Sequence, residues 1–136
     1  MSGPGWLYNL LAVAAGGMVG ALGRYLVYLA VGQVFGLAVP YYATLIVNVA
    51  GSFAMGVLVE TMALVWSAST SMRLFLVTGL LGAFTTFSSF SLDFALLFER
   101  RDFVLCALYT LASFAFSVGG LFTGLHLTRR LLAPSL

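Results

Sequence analysis

The chain has 136 residues, of which 62% are hydrophobic and only 7% are charged. A soluble domain of ordinary composition carries about 25% charged residues, so this composition excludes a typical soluble protein. The formal net charge of +2 gives no indication of a nucleic-acid partner. We therefore expect the protein to work inside a lipid bilayer.

Four apolar stretches fill nearly all of the sequence between its charged residues, at 7–31, 41–66, 72–98 and 103–128. A membrane-spanning helix needs about 20 residues, and each stretch is long enough. The connections between the stretches are short and leave no room for a soluble domain. The sequence predicts an all-α integral membrane protein with four transmembrane helices, in which residues 1–136 form a single membrane domain.

The positive charges give no preferred orientation in the membrane, although Lys and Arg asymmetry normally sets it. Four spans place both termini on one side, together with three arginines: Arg73, Arg129 and Arg130. The opposite side has the other three, at or near the membrane surface: Arg24, Arg100 and Arg101. Either a weak bias escapes this count, or the protein inserts in both directions and pairs as an antiparallel dimer.

Small residues recur four positions apart in three of the stretches. The pairs are Gly16/Gly20, Ser52/Gly56 and Gly120/Gly124. Such pairs allow the backbones of membrane helices to approach closely. They predict close helix packing and give no information about a substrate.

The second stretch carries Thr44, Asn48 and Ser52 at i, i+4 and i+8, which places all three on one helix face. An asparagine amide offers two hydrogen-bond donors and one acceptor. Two interpretations remain open for Asn48. It either holds helices together, as polar membrane residues often do, or it contacts a transported solute.

The third stretch, 72–98, would be about 40 Å long as a continuous helix, more than a bilayer core of about 30 Å requires. Gly79, Gly82 and the adjacent Thr85 and Thr86 weaken the helix near its middle, so we expect a break at 82–86. Freed carbonyls in such a break are natural ligands for a hard cation. The alternative is a continuous helix whose hydroxyls bond back to its own carbonyls.

Phenylalanines follow the same stretch at spacings of three and four residues, which predicts a stripe on one helix face. They are Phe84, Phe87, Phe90, Phe94 and Phe98. A stripe of this kind usually contacts core or lipid, but here it borders the hydroxyl-rich segment. Aromatic ring edges are electropositive, so they can contact a small anion and disfavour cations.

The fourth stretch places Tyr109, Ser113 and Ser117 on one face as a polar track. Their hydroxyls either donate to an anion or bond to the helix backbone. Asp93 and Glu60 are candidates for function because acids inside a membrane are rare. The sequence has no recognisable catalytic arrangement or transition-metal cluster, and we expect no enzymatic activity.

Three segments give the sequence a close resemblance to the Fluc (CrcB-like) fluoride channel family. They are GALGRY in the first stretch, TLIVNVAGS in the second and TGLLGAFTTFSSFS in the third. The resemblance implies an antiparallel, dual-topology homodimer with two fluoride pores. It also implies a passive channel that exports fluoride across the cell (inner) membrane and lowers its cytoplasmic concentration.

The resemblance also assigns roles to individual residues. The implied pore residues are Thr44, Asn48, Phe87, Phe90, Ser113 and Ser117, to which the polar track adds Tyr109. Arg24 matches an arginine near the pore vestibule. Gly82 and Thr85 match positions whose backbone carbonyls hold a structural Na⁺ on the dimer axis.

The sequence leaves two alternatives to a fluoride channel. A small dual-topology exporter that exchanges protons for lipophilic cations would share the length and the four spans. Such exporters rely on a buried glutamate in the first helix, and the stretch at 7–31 contains no acid. A non-transporting membrane subunit would explain the small-residue pairs but neither the predicted break nor the phenylalanine stripe.

Overall fold

The computed structural model describes residues 5–36 and 40–133, and within them the chain is helical almost throughout. The described part contains four stretches long and apolar enough to cross a membrane: Gly5–Phe35, Tyr41–Leu64, Thr70–Glu99 and Phe103–Leu132. The prediction of an all-helical protein with four spans is therefore confirmed. The second helix ends two residues before its predicted limit, whereas the fourth continues four residues beyond it.

We number the α-helices in chain order. They are α1 (Gly5–Phe35), α2 (Pro40–Leu64), α3 (Thr70–Arg73), α4 (Gly82–Phe84), α5 (Phe87–Glu99) and α6 (Phe103–Leu132). A π-helical segment, Leu74–Leu81, joins α3 to α4. The third span is thus built from α3, the π-helical segment, α4 and α5.

Glycines are the points at which the helices approach most closely, as the small-residue pairs predict. A Cβ atom on Gly16 or Gly20 would collide with the backbone of the π-helical segment. A Cβ atom on Gly56 or Gly124 would likewise collide with the facing backbone at the α2–α6 contact. In lipid, where apolar surface provides no driving force for association, such close packing is a main source of helix affinity.

We expect Gly20→Ala to lower the free energy of unfolding by about 2 kcal/mol or more, because the new methyl group meets backbone that cannot move aside. Gly17→Ala is the matched control, since no atom lies within 4 Å of a Cβ placed on Gly17. That control should be neutral or slightly stabilising. Denaturant titration in detergent micelles measures both effects, and equal stability of the two variants would contradict this packing.

The ends of α2 and α6 are joined by an ion pair. The Arg129 guanidinium donates to both carboxylate oxygens of Glu60, at 2.8 and 3.2 Å. Glu60 is buried, while the arginine side chain is largely exposed. Glu60, a candidate for function in the sequence, therefore has a structural partner at the end of the span.

The helical geometry of the third span is interrupted at two residues. Thr85 (φ −83°, ψ 158°) and Thr86 (φ −154°, ψ 116°) are extended, and α5 begins at Phe87. The predicted break at 82–86 is wrong for residues 82–84, which are helical. Glycine weakens a helix without requiring it to end, and Gly82 keeps helical dihedral angles with its N–H donating to the Val77 and Gly79 carbonyls.

Candidate functional site

Asn48 on α2 forms hydrogen bonds to the interruption in the third span. Its Oδ1 accepts from the Thr86 N–H at 2.7 Å, and its Nδ2 donates to the Thr86 carbonyl at 3.0 Å. The amide thus satisfies both backbone groups of a residue that has left the helix. Because Nδ2 carries two hydrogens, one N–H remains for another acceptor. Asn48 therefore holds helices together and still has a donor to offer.

Asn48 lines a groove of about 670 Å³ between α2, the interruption, α5 and α6, which we call the Asn48 groove. Hydroxyl groups contribute much of its polar lining. They belong to Ser52, Thr85, Thr86, Thr110, Ser113 and Ser117. Phe87, Phe90 and Phe114 contribute aromatic rings. The groove thus combines neutral polar groups with aromatic rings, and none of the described residues that line it is charged.

Phe87 and Phe90 stand at the start of α5 with their ring centroids 5.4 Å apart. Phe90 packs against Tyr109, whereas Phe87 is 78% exposed. The ring of Phe87 is therefore not part of a core within one chain. It lies on the open side of the groove, where a ligand or a second chain can contact it.

The five phenylalanines do not form the single stripe that their spacing predicts. Phe84 precedes the interruption, and its ring packs between Gly23 of α1 and Gly51 of α2. Phe94 and Phe98 stack on each other further along α5. The extended residues change the course of the chain after Phe84, so only Phe87 and Phe90 line the groove.

Two members of the polar track, Ser113 and Ser117, line the Asn48 groove. Ser113 is only 7% exposed, and within the described residues its Oγ makes no hydrogen bond of good geometry, although the Tyr109 hydroxyl is close enough to interact with it. A buried hydroxyl with incomplete hydrogen bonding is costly, so a bound acceptor would stabilise it. Tyr109 is buried behind Phe90 and donates to the Asp93 carboxylate at 3.0 Å.

The remaining predicted side chains lie outside the groove. Thr44 is fully buried, and its hydroxyl bonds to the Tyr28 hydroxyl at 2.6 Å. Arg24 lines a separate hollow of about 500 Å³ together with Tyr28 and Ser89. Tyr28 was missed in the sequence, although it lies one turn after Arg24 on the same face of α1.

Gly82 and Thr85 have carbonyl groups that lose their usual helical donors. The Gly82 carbonyl would accept from the Thr86 N–H in a continuous helix, but that N–H donates to Asn48. The Thr85 carbonyl would accept from the Ser89 N–H, which donates instead to the Thr86 hydroxyl. The Gly82 and Thr85 carbonyls therefore lack the amide donors that a continuous helix would give them.

The four spans and the groove define a multi-pass membrane protein with a polar and aromatic groove. A family model described as CrcB-like protein, Camphor Resistance (CrcB), matches residues 11–125. The chain belongs to this family, and the resemblance found in the sequence is confirmed.

Several curated relatives are named as channels. The Fluoride-specific ion channel FluC of Rhodospirillum centenum (strain ATCC 51521 / SW) is 56% identical over 124 residues, which cover 91% of this chain and 98% of the relative. The protein of the same name from Chelativorans sp. (strain BNC1) is 51% identical over 126 residues, covering 93% of this chain and all of the relative. The one from Agrobacterium fabrum (strain C58 / ATCC 33970) is 50% identical over 125 residues, covering 92% of this chain and 99% of the relative.

Proposed function

We propose that the protein is a passive, fluoride-selective channel. The observation that carries this proposal is the Asn48 groove, whose described lining holds a spare amide N–H, the buried Ser113 hydroxyl and three phenyl rings without a charged group. The names of the relatives agree with it. The absence of a phosphate-binding loop motif from the sequence favours passive flow.

Fluoride is small and strongly hydrated, so a pore that removes its water must supply donors in return. In the Asn48 groove those donors are the Asn48 amide, the Ser113 hydroxyl and the edges of Phe87 and Phe90. The positive end of the α5 dipole lies at Phe87 and also favours an anion. Conduction requires binding that is weak enough to allow release, which a series of neutral donors provides better than an arginine would.

The pore itself needs a second chain. The Asn48 groove is open on one side, and Phe87 has little contact within its own chain. We propose that an inverted second copy covers the groove and forms an antiparallel homodimer, which the even division of arginines between the two sides permits. The interruption at Thr85 and Thr86 then lies at membrane depth but buried in protein, the condition under which non-helical backbone is tolerated there.

We also propose that a structural Na⁺ binds at the centre of this antiparallel homodimer. The carbonyls of Gly82 and Thr85 provide two oxygen ligands in each chain, and a two-fold axis would double that number. Carbonyl oxygens of unwound helices are suitable ligands for Na⁺ in membrane proteins. The ion would fix the two interruptions against each other and would not itself be transported.

We expect the dimer to be more stable in sodium than in a bulky organic cation such as N-methylglucamine. Saturation of a specific site should raise the thermal midpoint by roughly 5 °C. Thermal unfolding in detergent, followed together with the dimer fraction, measures this difference. Exchange of chloride for gluconate at constant sodium is the control, and equal midpoints in the two cations would exclude the site.

Ser113→Ala should lower the rate of fluoride efflux about tenfold, because it removes one donor to an anion that has lost its water in the pore. Its effect on stability should be small, since the Ser113 hydroxyl makes no hydrogen bond of good geometry among the described residues. Thr110→Val is the matched control, because the Thr110 hydroxyl lines the same groove but donates to the Cys106 carbonyl. Reconstituted liposomes report both rates. Equal rates for Ser113→Ala and the unaltered protein would remove Ser113 from the pathway.

Arg24 and Tyr109 have supporting roles in this proposal. The Arg24 hollow offers a positive charge that would attract anions toward one end of the pathway. Tyr109 supports Phe90 from behind through a ring contact at 5.3 Å. Thr44, buried and bonded to Tyr28, would connect the Arg24 hollow with the interior of the protein.

We propose that the channel lies in the cell (inner) membrane and allows fluoride to leave the cytoplasm. Growth in fluoride of bacteria that lack their own fluoride exporter tests this proposal. Expression of the protein should restore growth at a fluoride concentration that otherwise prevents it. Failure to restore growth, with the protein present in the membrane, would contradict an export role.

No observation favours the exchange of protons for lipophilic cations. Within the described residues, Asp93 accepts a hydrogen bond from Tyr109, and Glu60 is paired with Arg129.

A further inference from the structure

The opposite face of the α2–α6 pair carries a second groove, of about 770 Å³, which we call the Gly119 groove. Its α2 residues Ile46, Ala50 and Phe53 are displaced by about two positions from those lining the Asn48 groove, or ~200° around the helix. Gly119 and Gly120 contribute on the α6 side. The lining of the Gly119 groove is almost entirely apolar.

The Gly119 groove leads toward a cationic end. Thr123 lines both this groove and an adjoining hollow that contains His126 and Arg130. His126 donates from Nδ1 to the Phe122 carbonyl at 2.9 Å. Arg129 is paired with Glu60, whereas no ion pair engages Arg130 within the described residues. Among the described residues, the Arg130 guanidinium thus lies without an ion-pair partner near the end of the apolar Gly119 groove, in the last turn of the span.

The dimensions fit one lipid chain. From Ala115 to Thr123 the groove follows α6 for about 12 Å, close to half of a hydrocarbon core of about 30 Å. Arg130 then lies near the end of α6, at the level where lipid head groups begin. The apolar groove therefore has the position of an acyl chain in one leaflet, and the Arg130 guanidinium has the position of the phosphate of the same lipid.

We propose that this face binds an anionic glycerophospholipid, with one acyl chain in the Gly119 groove and the phosphate at Arg130. Charge complementarity selects the anionic head group, and the apolar lining selects the chain. The site is independent of the fluoride pathway, because it lies on the other face of the α2–α6 pair. It would anchor the helices that carry Asn48 and Ser113 to the surrounding lipid.

Native mass spectrometry of the full-length protein tests this proposal, with phosphatidylglycerol and phosphatidylcholine of identical acyl chains as probes. The protein should retain phosphatidylglycerol about fivefold more than phosphatidylcholine, the factor that corresponds to ~1 kcal/mol for one cation near an anionic lipid. Arg130→Gln should abolish that preference. Arg73→Gln, which removes an arginine from the same side of the membrane, should leave it intact.

Gly119→Leu tests the acyl-chain part of the site. A Cβ atom placed on Gly119 meets no atom within 4 Å, so we expect leucine to enter the groove without disturbing the helices. This variant should retain several-fold less of both lipids, while Gly17→Leu, at a similarly open position on α1, should match the unaltered protein. Circular dichroism verifies that both variants are folded.

Four results would count against the proposal. One is an unchanged lipid preference in Arg130→Gln, and another is unchanged lipid retention in Gly119→Leu. The third is a change of oligomeric state in Gly119→Leu, which would show that a second protein chain occupies the groove. Glycerol phosphate retained as strongly as the whole lipid would also refute the role of the chain.

Discussion

Phe87→Ile should slow fluoride efflux from reconstituted liposomes about 30-fold or more. Isoleucine is apolar but lacks the electropositive ring edge that contacts the anion. A cation over a ring face in a desolvated site is worth about 2 kcal/mol; an edge contact of the same size for the anion would correspond to a factor of about 30. Because the Phe87 ring is 78% exposed within one chain, its loss should change the stability of the single chain very little.

Phe94→Ile is the matched control for this experiment. Phe94 lies two turns further along α5, where it stacks on Phe98 with ring centroids 6.2 Å apart, and it does not line the Asn48 groove. Its replacement should leave the efflux rate near that of the unaltered protein. Similar rates for Phe87→Ile and Phe94→Ile would show that the pathway does not pass Phe87.

Asn48→Leu should have the largest effect on stability. It removes the two hydrogen bonds to Thr86 and leaves a backbone N–H and a carbonyl without partners. Each unsatisfied buried group costs about 1–3 kcal/mol, so the free energy of unfolding should fall by about 3 kcal/mol or more. Fluoride efflux should fall to background, because the spare amide donor is lost as well.

Hydrogen exchange separates this explanation from a general loss of packing. The Thr86 amide should exchange much faster in Asn48→Leu, since its acceptor is gone. Ser52→Ala, which alters the next turn of α2 in the same groove, should leave that amide protected. A stable Asn48→Leu variant with a slowly exchanging Thr86 amide would contradict the role of Asn48 as the support of the interruption.

The spans and the helix contacts could be predicted because they depend on local patterns. Hydrophobic length identifies a spanning helix, and small residues four apart identify close crossings such as those at Gly20 and Gly124. The grouping of Asn48 with Phe87, Phe90, Ser113 and Ser117 came from the family resemblance, and the structure places all five in one groove.

Contacts between distant residues could not be predicted from the sequence. Asn48 bonds to Thr86, 38 positions away, and Tyr28 bonds to Thr44, 16 positions away. Nothing in the local pattern of either pair identifies its partner. The limits of the interruption could not be predicted for a related reason. The low helix propensity of glycine suggested a break from residue 82. The third span instead leaves helical geometry only at Thr85 and Thr86, where Asn48 accepts the freed Thr86 N–H.

The most direct test of the account is a fluoride-electrode recording from liposomes that contain the purified protein. We predict rapid fluoride release that requires no energy source, while chloride stays inside vesicles loaded with both ions. Release of the two halides at the same rate, or no fluoride release from vesicles in which the folded protein is present, would contradict a neutral pathway selective for fluoride.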